Sequence, residues 1–348
     1  MERRPDPHKT TQRPLVIILA ETRAYGLTFD RFKENVLDTL GADLALCVAD
    51  NERECPSNPF YTHARYIWRY PEPSDWGTAF DYAQQVVGSD ADWRRLLRIK
   101  NQWLGGVEDP EAHPGSAAIL LFFRWFLKQQ LVESGRLKHY DRYIVTRSDF
   151  MHEIPHVPLR LLSPNRIWIP DSEDYGGFTD RHIVASRRDI LKVLSVCDDI
   201  LVKPRTLYEQ MRGHGRWNLE KYLKLSFARM GIASSVRRFP YTMYAVRERG
   251  GHTRWREGSY DDELGFYIKY PSEYARARSI AATVRSERDW TYPVLQYLRF
   301  RRCAEQAKTR SLDRLAGAKA VLRRRAAGAK RRIGERVRIL QGGRPGPG

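Results

Sequence analysis

Cysteine is scarce in this chain. Cys47, Cys55, Cys197 and Cys303 are scattered over 348 residues, with no CxxC pair and no histidine at ligand spacing. A disulfide framework and a structural zinc site are thereby excluded as organising devices, and a reducing cytoplasm fits best. Long apolar runs are missing too. The most apolar stretch, AAILLFFRWFL from Ala117 to Leu127, is interrupted by Arg124 and falls short of the roughly 20 residues needed to cross a bilayer; it predicts a buried helix. PLVIILA, from Pro14 to Ala20, is too short for a secretory core and is followed at once by charge, so it predicts a strand. No GxGxxG follows a strand, and GxxxxGK(S/T), HExxH and GxSxG do not occur. ATP-dependent and serine-hydrolase chemistry lose most of their weight.

What is present is an ordinary globular composition with an unusual end. Hydrophobic residues make up 42% and aromatics 11%, enough for a sizeable core in one large domain or two small ones. The formal charge is +18, yet 16 Lys+Arg against 3 Asp+Glu lie between Arg299 and Gly348. The basic character is a property of the tail, and the isoelectric point alone does not imply nucleic-acid binding.

Hydrophobic periodicity gives the order of elements. A strand over 15–20, a helix over 28–40 with apolar residues at helical spacing, and a strand ending at Asp50 form a β–loop–α–β unit, which implies a parallel sheet covered on both faces. A proline-containing loop covers 51–76. Helices follow at 78–87, 92–103 and 116–134, then strands in DRYIVTRSDF, NRIWIPD and the segment after YGGFTDRH. Further helices are expected at 187–195, 206–211 and 218–231, with short strands near 235–239 and 242–247. The fold class is α/β, and the chain divides into a loose leader (1–13), a main domain (14–296) and a basic tail (297–348).

Three stretches carry polar chemistry. The strand HYDRYIVTRSDF delivers Arg147 and Asp149 at its carboxyl end, where open α/β sheets handle ligands; an ion pair capping the strand would account for them equally well. IPDSEDYGGFTDRHIV offers Asp171, Glu173, Asp174 and Asp180, a tight Gly176–Gly177 turn, and Asp180, Arg181 and His182 directly before an apolar strand. That set suits a polyhydroxyl ligand, and the rival account is a solvated turn. In RGHGRWNLEKYL, Asn218 can cap a helix carrying Glu220 in its first turn, which explains Glu220 structurally unless it points into the cleft.

In this order the segments LVIILAETRAYG, YDRYIVTRSDF, RIWIPDSEDYGGFTDRHIVAS and NLEKYLKLSFARMGI resemble a group of glycosyltransferases of the GT-A type, found near genes for capsule, lipopolysaccharide and other surface glycans. The resemblance covers 14–246, about two thirds of the chain, and the RxD and GG-TDRH pair is moderately specific. It implies a Rossmann-like, mostly parallel sheet with helices on both faces, and transfer of a sugar from a nucleotide-sugar donor to a glycan or glycolipid acceptor. The nucleotide-sugar side would be handled by Thr22, Arg23, Asp50, Arg147, Asp149, Gly176, Gly177, Arg181 and His182. Asp180 is the acceptor-side candidate for the catalytic base, with Glu220 second. Arg147 stands where most such enzymes carry the first aspartate of a metal-binding DxD motif. Manganese or magnesium on Asp149 would therefore need help from a second oxygen, His152 or His214; Arg147 could instead neutralise the diphosphate itself.

The tail places Leu312, Leu315, Leu322, Ile333, Val337 and Leu340 among arginines and lysines at mostly helical steps. It predicts a basic amphipathic helix on an anionic membrane surface, each basic residue adding about 1 kcal/mol, and places the enzyme at the inner face of a membrane. Nucleic acid is the rival partner, disfavoured because no aromatic residue follows Phe300 to stack on bases. The alternative of a different class is a non-catalytic or nucleic-acid-associated scaffold working through this tail.

Overall fold

A run such as LVIILA, apolar at every position, hides both faces only inside a covered sheet. The computed structural model describes residues 13–50, 57–99, 102–107, 113–171, 174–250 and 257–287. In it the run forms β1 (Leu15–Ala20), with all six side chains buried. Leu15, Ile17 and Leu19 join the main core, while Val16 and Ile18 on the opposite face are equally inaccessible.

The other strands are β2 (Asp43–Asp50), β3 (Tyr66–Pro71), β4 (Arg142–Thr146), β5 (Phe150–His152), β6 (Ile167–Pro170), β7 (Ile183–Ser186), β8 (Val236–Phe239), β9 (Met243–Arg247), β10 (Ser259–Asp261) and β11 (Phe266–Ile268). They form a seven-stranded sheet of order β3-β2-β1-β4-β7-β6-β8 and a four-stranded sheet of order β10-β11-β9-β5. In the large sheet β1 is parallel to β2 and β4, β2 to β3 and β6 to β8, whereas β7 runs against both its neighbours. The fold is α/β with a mostly parallel, Rossmann-like sheet.

The helices are α1 (Tyr25–Phe32), α2 (Pro59–His63), α3 (Gly77–Val86), α4 (Ala117–Glu133), α5 (Arg187–Leu194), α6 (Asp198–Val202), α7 (Pro204–Met211), α8 (Leu219–Arg229) and α9 (Pro271–Glu287). The apolar run around Arg124 is α4, which packs on β1, β2, α3 and α5. The expected helix over 28–40 starts earlier, at Tyr25, and changes to a π-helical stretch at Lys33–Asp38. The expected helix over 92–103 is instead two short 3₁₀ turns, Trp93–Arg98 and Gln102–Leu104. Trp93, Leu96 and Ile99 are all buried, and a spacing of three suits the 3₁₀ repeat. The loop over 51–76 contains β3, an edge strand whose Tyr66, Trp68 and Tyr70 pack on the core.

The leader (apart from Arg13) and the tail over 297–348 lie outside the described residues. Among those described, no helix is long and apolar enough to cross a membrane.

Candidate functional site

The reversal of β7 decides where the site lies. Val145 pairs with Ile183 and Arg142 with Ser186, so the residues just before β7 arrive at the carboxyl edge of β4. Two segments thirty residues apart, Arg147–Asp149 and Asp180–His182, thereby meet at one end of the sheet. The loop after β1 joins them: the Ser148 hydroxyl donates to the backbone oxygens of Glu21 and Arg23, both at 3.0 Å. Ala20, the last residue of β1, and Ala24, the N-cap of α1, bracket that loop and hold positive φ of 75° and 53°, conformations that cost a non-glycine residue roughly 1–2 kcal/mol and that gather at functional sites.

Asp149 is the electrostatic centre. It accepts from Arg147 through Nε at 3.0 Å and Nη2 at 2.7 Å, and from Nη1 of Arg247 at the end of β9. Arg23 Nη2 lies 3.5 Å from Asp149 Oδ2, the oxygen that Arg147 Nη2 and Arg247 also reach, and Arg23 pairs with Glu21 at 3.2 Å. The backbone is fixed as well, since the Val246 amide donates to the Asp149 carbonyl at 2.9 Å. Burial pushes the Asp149 carboxyl up, but Arg147, Arg247 and Arg23 overcome it and hold it well below the usual carboxylate range.

This donor set does not suit a divalent cation. Three guanidiniums occupy the two oxygens of Asp149. The helpers suggested by sequence stand elsewhere: His152 is fully buried and His214 exposed. Among the described residues no three His, Cys, Asp or Glu side chains are placed to share a metal ion.

Two recesses open beside this centre. The smaller, about 40 Å³, lies over the ends of β1 and β2 and is lined by Ala20, Glu21, Arg23, Ala49, Glu72 and Trp76, among others. The larger, about 230 Å³, is bounded by Arg147, Tyr175, Asp180, Arg181, Glu220 and Lys269, among others. Both share Ser116, Leu120 and Arg147, so they are halves of one cleft.

Glu220 reaches the cleft because α8 is stapled to the glycine turn. Asn218 caps the helix by accepting from the Lys221 amide at 2.8 Å, and its own amide donates to the Tyr175 carbonyl at 3.1 Å. The Phe178 amide donates to the Glu220 carbonyl at 2.9 Å. Gly177 permits this approach, since a Cβ there would lie 1.9 Å from Glu220 backbone atoms. Burial, and then the charge of Asp180, push the Glu220 carboxyl up to about 7. Asp180 itself is 7% exposed, and among the described residues its Oδ2 has no hydrogen-bond partner. Arg181 stands beside it, paired with Glu273 and stacked 4.4 Å from the Tyr270 ring centre.

Of the residues singled out from sequence, Arg23, Arg147, Asp149, Asp180, Arg181 and Glu220 line the cleft. Thr22 accepts a bond from Asn58, and Asp50 pairs with Arg69 on the surface, both outside the lining. Gly176 and Gly177 shape the turn rather than the wall. His182 is completely buried behind it, its Nδ1 on the Thr146 hydroxyl at 3.0 Å and its Nε2 sharing a bond with His156 at 3.1 Å. Asp174 pairs with Arg238 at 2.6 Å, and Glu173 lies outside the described residues. Arg247, Lys269 and Arg124 were not recognised from sequence. The clue for Arg124 was its place inside an apolar run; for Arg247, a charge closing an otherwise apolar strand.

A scan against protein-family models and a search of curated proteins found no match to this chain.

Proposed function

We propose that the protein is a GT-A-like glycosyltransferase, moving a sugar from a nucleotide-sugar donor to a glycan or glycolipid acceptor. The observation that carries this reading is the arrangement within one cleft: arginines gathered around Asp149, and a carboxylate pair, Asp180 and Glu220, across from them. A leaving nucleoside diphosphate needs its charge met by fixed cations; Arg147 and Arg23 on the cleft wall would supply them without a metal ion, with the buried Arg247 behind Asp149 adding its charge. The acceptor needs a base whose pKa lies near the working pH, and Glu220, held at about 7, fits that requirement.

In the inverting form of this chemistry the acceptor hydroxyl oxygen attacks the anomeric carbon. The bond from that carbon to the diphosphate oxygen breaks, and the diphosphate leaves with the bonding pair. The acceptor proton passes to the Glu220 carboxylate, while Asp180 keeps Glu220 basic. The recess over β1 and β2 would take the nucleotide and the larger cavity the sugar and acceptor. The basic tail extends the proposal to an anionic membrane surface as the place of action.

A thermal-shift panel tests the reading. UDP-, GDP- and dTDP-sugars, with CMP-sugars as the monophosphate comparison, are each added in EDTA and in manganese. A ligand at a hundred times its Kd adds about 2.7 kcal/mol of apparent stability. At least one diphosphate sugar is expected to raise the melting temperature equally in both conditions. No shift with any member removes the proposal; a shift that needs manganese removes its metal-free form.

A further inference from the structure

One cation in the cleft has no part in the chemistry above. Lys269 follows β11, where its backbone amide donates to the Ala245 carbonyl of β9 at 2.9 Å. Its side chain lines the larger cavity together with Arg147, Asp180, Arg181 and Glu220. Among the described residues its ammonium group has no hydrogen bond or ion pair, only the Tyr270 ring at 5.1 Å. Lys269 is half-buried, and a partly desolvated, unpaired ammonium on a cavity wall is completed most favourably by an anion from outside the chain.

The neighbouring charges define what that something is. Arg147 and Asp149 face Lys269 from the turn after β4, Arg247 from β9 and Arg181 from the approach to β7, while Asp180 and Glu220 share the cavity wall. Burial and the three arginines push Lys269 down to about 6, against the pull of Asp149. Around Asp149, the guanidiniums of Arg23, Arg147 and Arg247 form ion pairs with the carboxylates of Asp149 and Glu21 among the described residues, three cations against two anions and so one positive charge over. A charged Lys269 makes two, the charge of a sugar-linked diphosphate.

Resting on the transferase reading, we propose that Lys269 is a diphosphate-binding residue that takes a proton from solvent as the anion enters the cleft. An anion beside the amine favours its charged form, so binding and protonation are linked. The cleft would then hold a less repulsive set of cations when empty and its full set only when loaded.

Titration calorimetry on the full chain tests this, with inorganic pyrophosphate as the probe, at about pH 7.5 in buffers of different ionisation enthalpy. Wild type, Lys269→Arg and Lys269→Met are compared after their melting temperatures confirm folding. The probe's own ionisation cancels between wild type and Lys269→Arg, whose side chain is always charged. Wild type is expected to take up nearly one proton more than Lys269→Arg, and Lys269→Met to bind at least about tenfold more weakly, the scale of a charge-assisted contact. Equal proton counts, wild-type affinity in Lys269→Met, or no pyrophosphate binding overturns the proposal. The same titrations with UDP-glucose, GDP-mannose and dTDP-glucose separate the two readings. If pyrophosphate behaves as expected and no sugar nucleotide binds, the transferase reading falls while the role of Lys269 stands. If a sugar nucleotide binds with equal proton counts, the transferase reading stands and the role of Lys269 falls.

Discussion

Arg124, midway along α4, donates from Nη2 to the backbone carbonyl of Asp180 at 2.8 Å and holds the same nitrogen 3.9 Å from the Asp180 carboxylate. A guanidinium 1% exposed inside an apolar helix is explained by this reach. Burial pulls its pKa down, and the charge of Asp180 pulls it back up. The helix that fills the core thus also fixes a cleft carboxylate.

Replacing Arg124 by Met keeps most of the volume and strands the Asp180 carboxylate without its cation. Breaking one side of a buried pair costs about 3–5 kcal/mol, so the urea midpoint should fall accordingly, with Arg124→Lys intermediate. An unchanged midpoint would mean that Arg124 only fills space.

The Glu220 proposal makes opposite demands on rate and stability. A base must be deprotonated, so kcat/KM should drop as pH falls through about 7, the value to which burial and Asp180 raise this carboxyl. Glu220→Gln should remove that limb and lower turnover by about two to four orders of magnitude. Asp180→Asn should move the limb to lower pH by removing the second cause of the shift. Because the folded pKa lies above the unfolded one, the wild-type fold loses stability as pH rises from about 4.5 to about 7, by on the order of 3 kcal/mol. Glu220→Gln should therefore melt higher than wild type near pH 8, and a lower melting temperature there would contradict the burial argument.

Gly177 tests the stapling of α8. A methyl group at this position meets Glu220 backbone at 1.9 Å, and backbone cannot swing aside as a side-chain tip can. Gly177→Ala should cost roughly 1–3 kcal/mol and displace Glu220, reducing turnover even where the variant is still fully folded. A folded Gly177→Ala with the wild-type pH profile would show that the turn does not position the carboxylate.

The buried histidines predict acid sensitivity. Burial, then neighbouring His156, lowers His152 to about 3; burial and Arg142 lower His156 to about 4, against a bond to the Val157 carbonyl; burial and the other two hold His182 well below its usual value. The unfolded chain protonates near pH 6.5 while the fold stays neutral. Stability should fall from about pH 6.5 towards about pH 4, by about 1.4 kcal/mol per pH unit for each histidine. His152→Leu removes a ring whose nitrogens have no hydrogen-bond partner among the described residues, so its stability profile should be shallower and its melting temperature at about pH 5 higher. A slope matching wild type would place the acid sensitivity elsewhere.

The legible parts of the fold are those where one short stretch fixes its own environment. β1 is apolar throughout and β2 is apolar between its terminal aspartates, α4 is a long apolar run, and Asn218 announces the start of α8. β3 was hidden although Tyr66, Trp68 and Tyr70 alternate as a strand should, because nearby prolines read as loop. β10 and β11 have three residues each, too few for any period to show. The direction of β7 could not be read, since three apolar residues and a serine look alike in either sense. Arg147 and Asp149 could be suspected as a pair; that Arg23 and Arg247 join them depends on contacts over about a hundred residues of chain.

The ring of arginines on Asp149 also bears on how quickly the cleft can be filled. Long cationic side chains usually lose rotamer freedom when a ligand arrives, at roughly 0.5–1.5 kcal/mol each. Here Arg147 and Arg247 are already immobilised against an internal carboxylate, so their ordering is complete before any anion appears. Asp149 serves as a resident counter-ion, holding the cations in place while weakening their combined field. On the proposed function an incoming diphosphate would meet a rigid receptor and share its arginines with Asp149, which would favour fast exchange over tight retention, as repeated turnover requires.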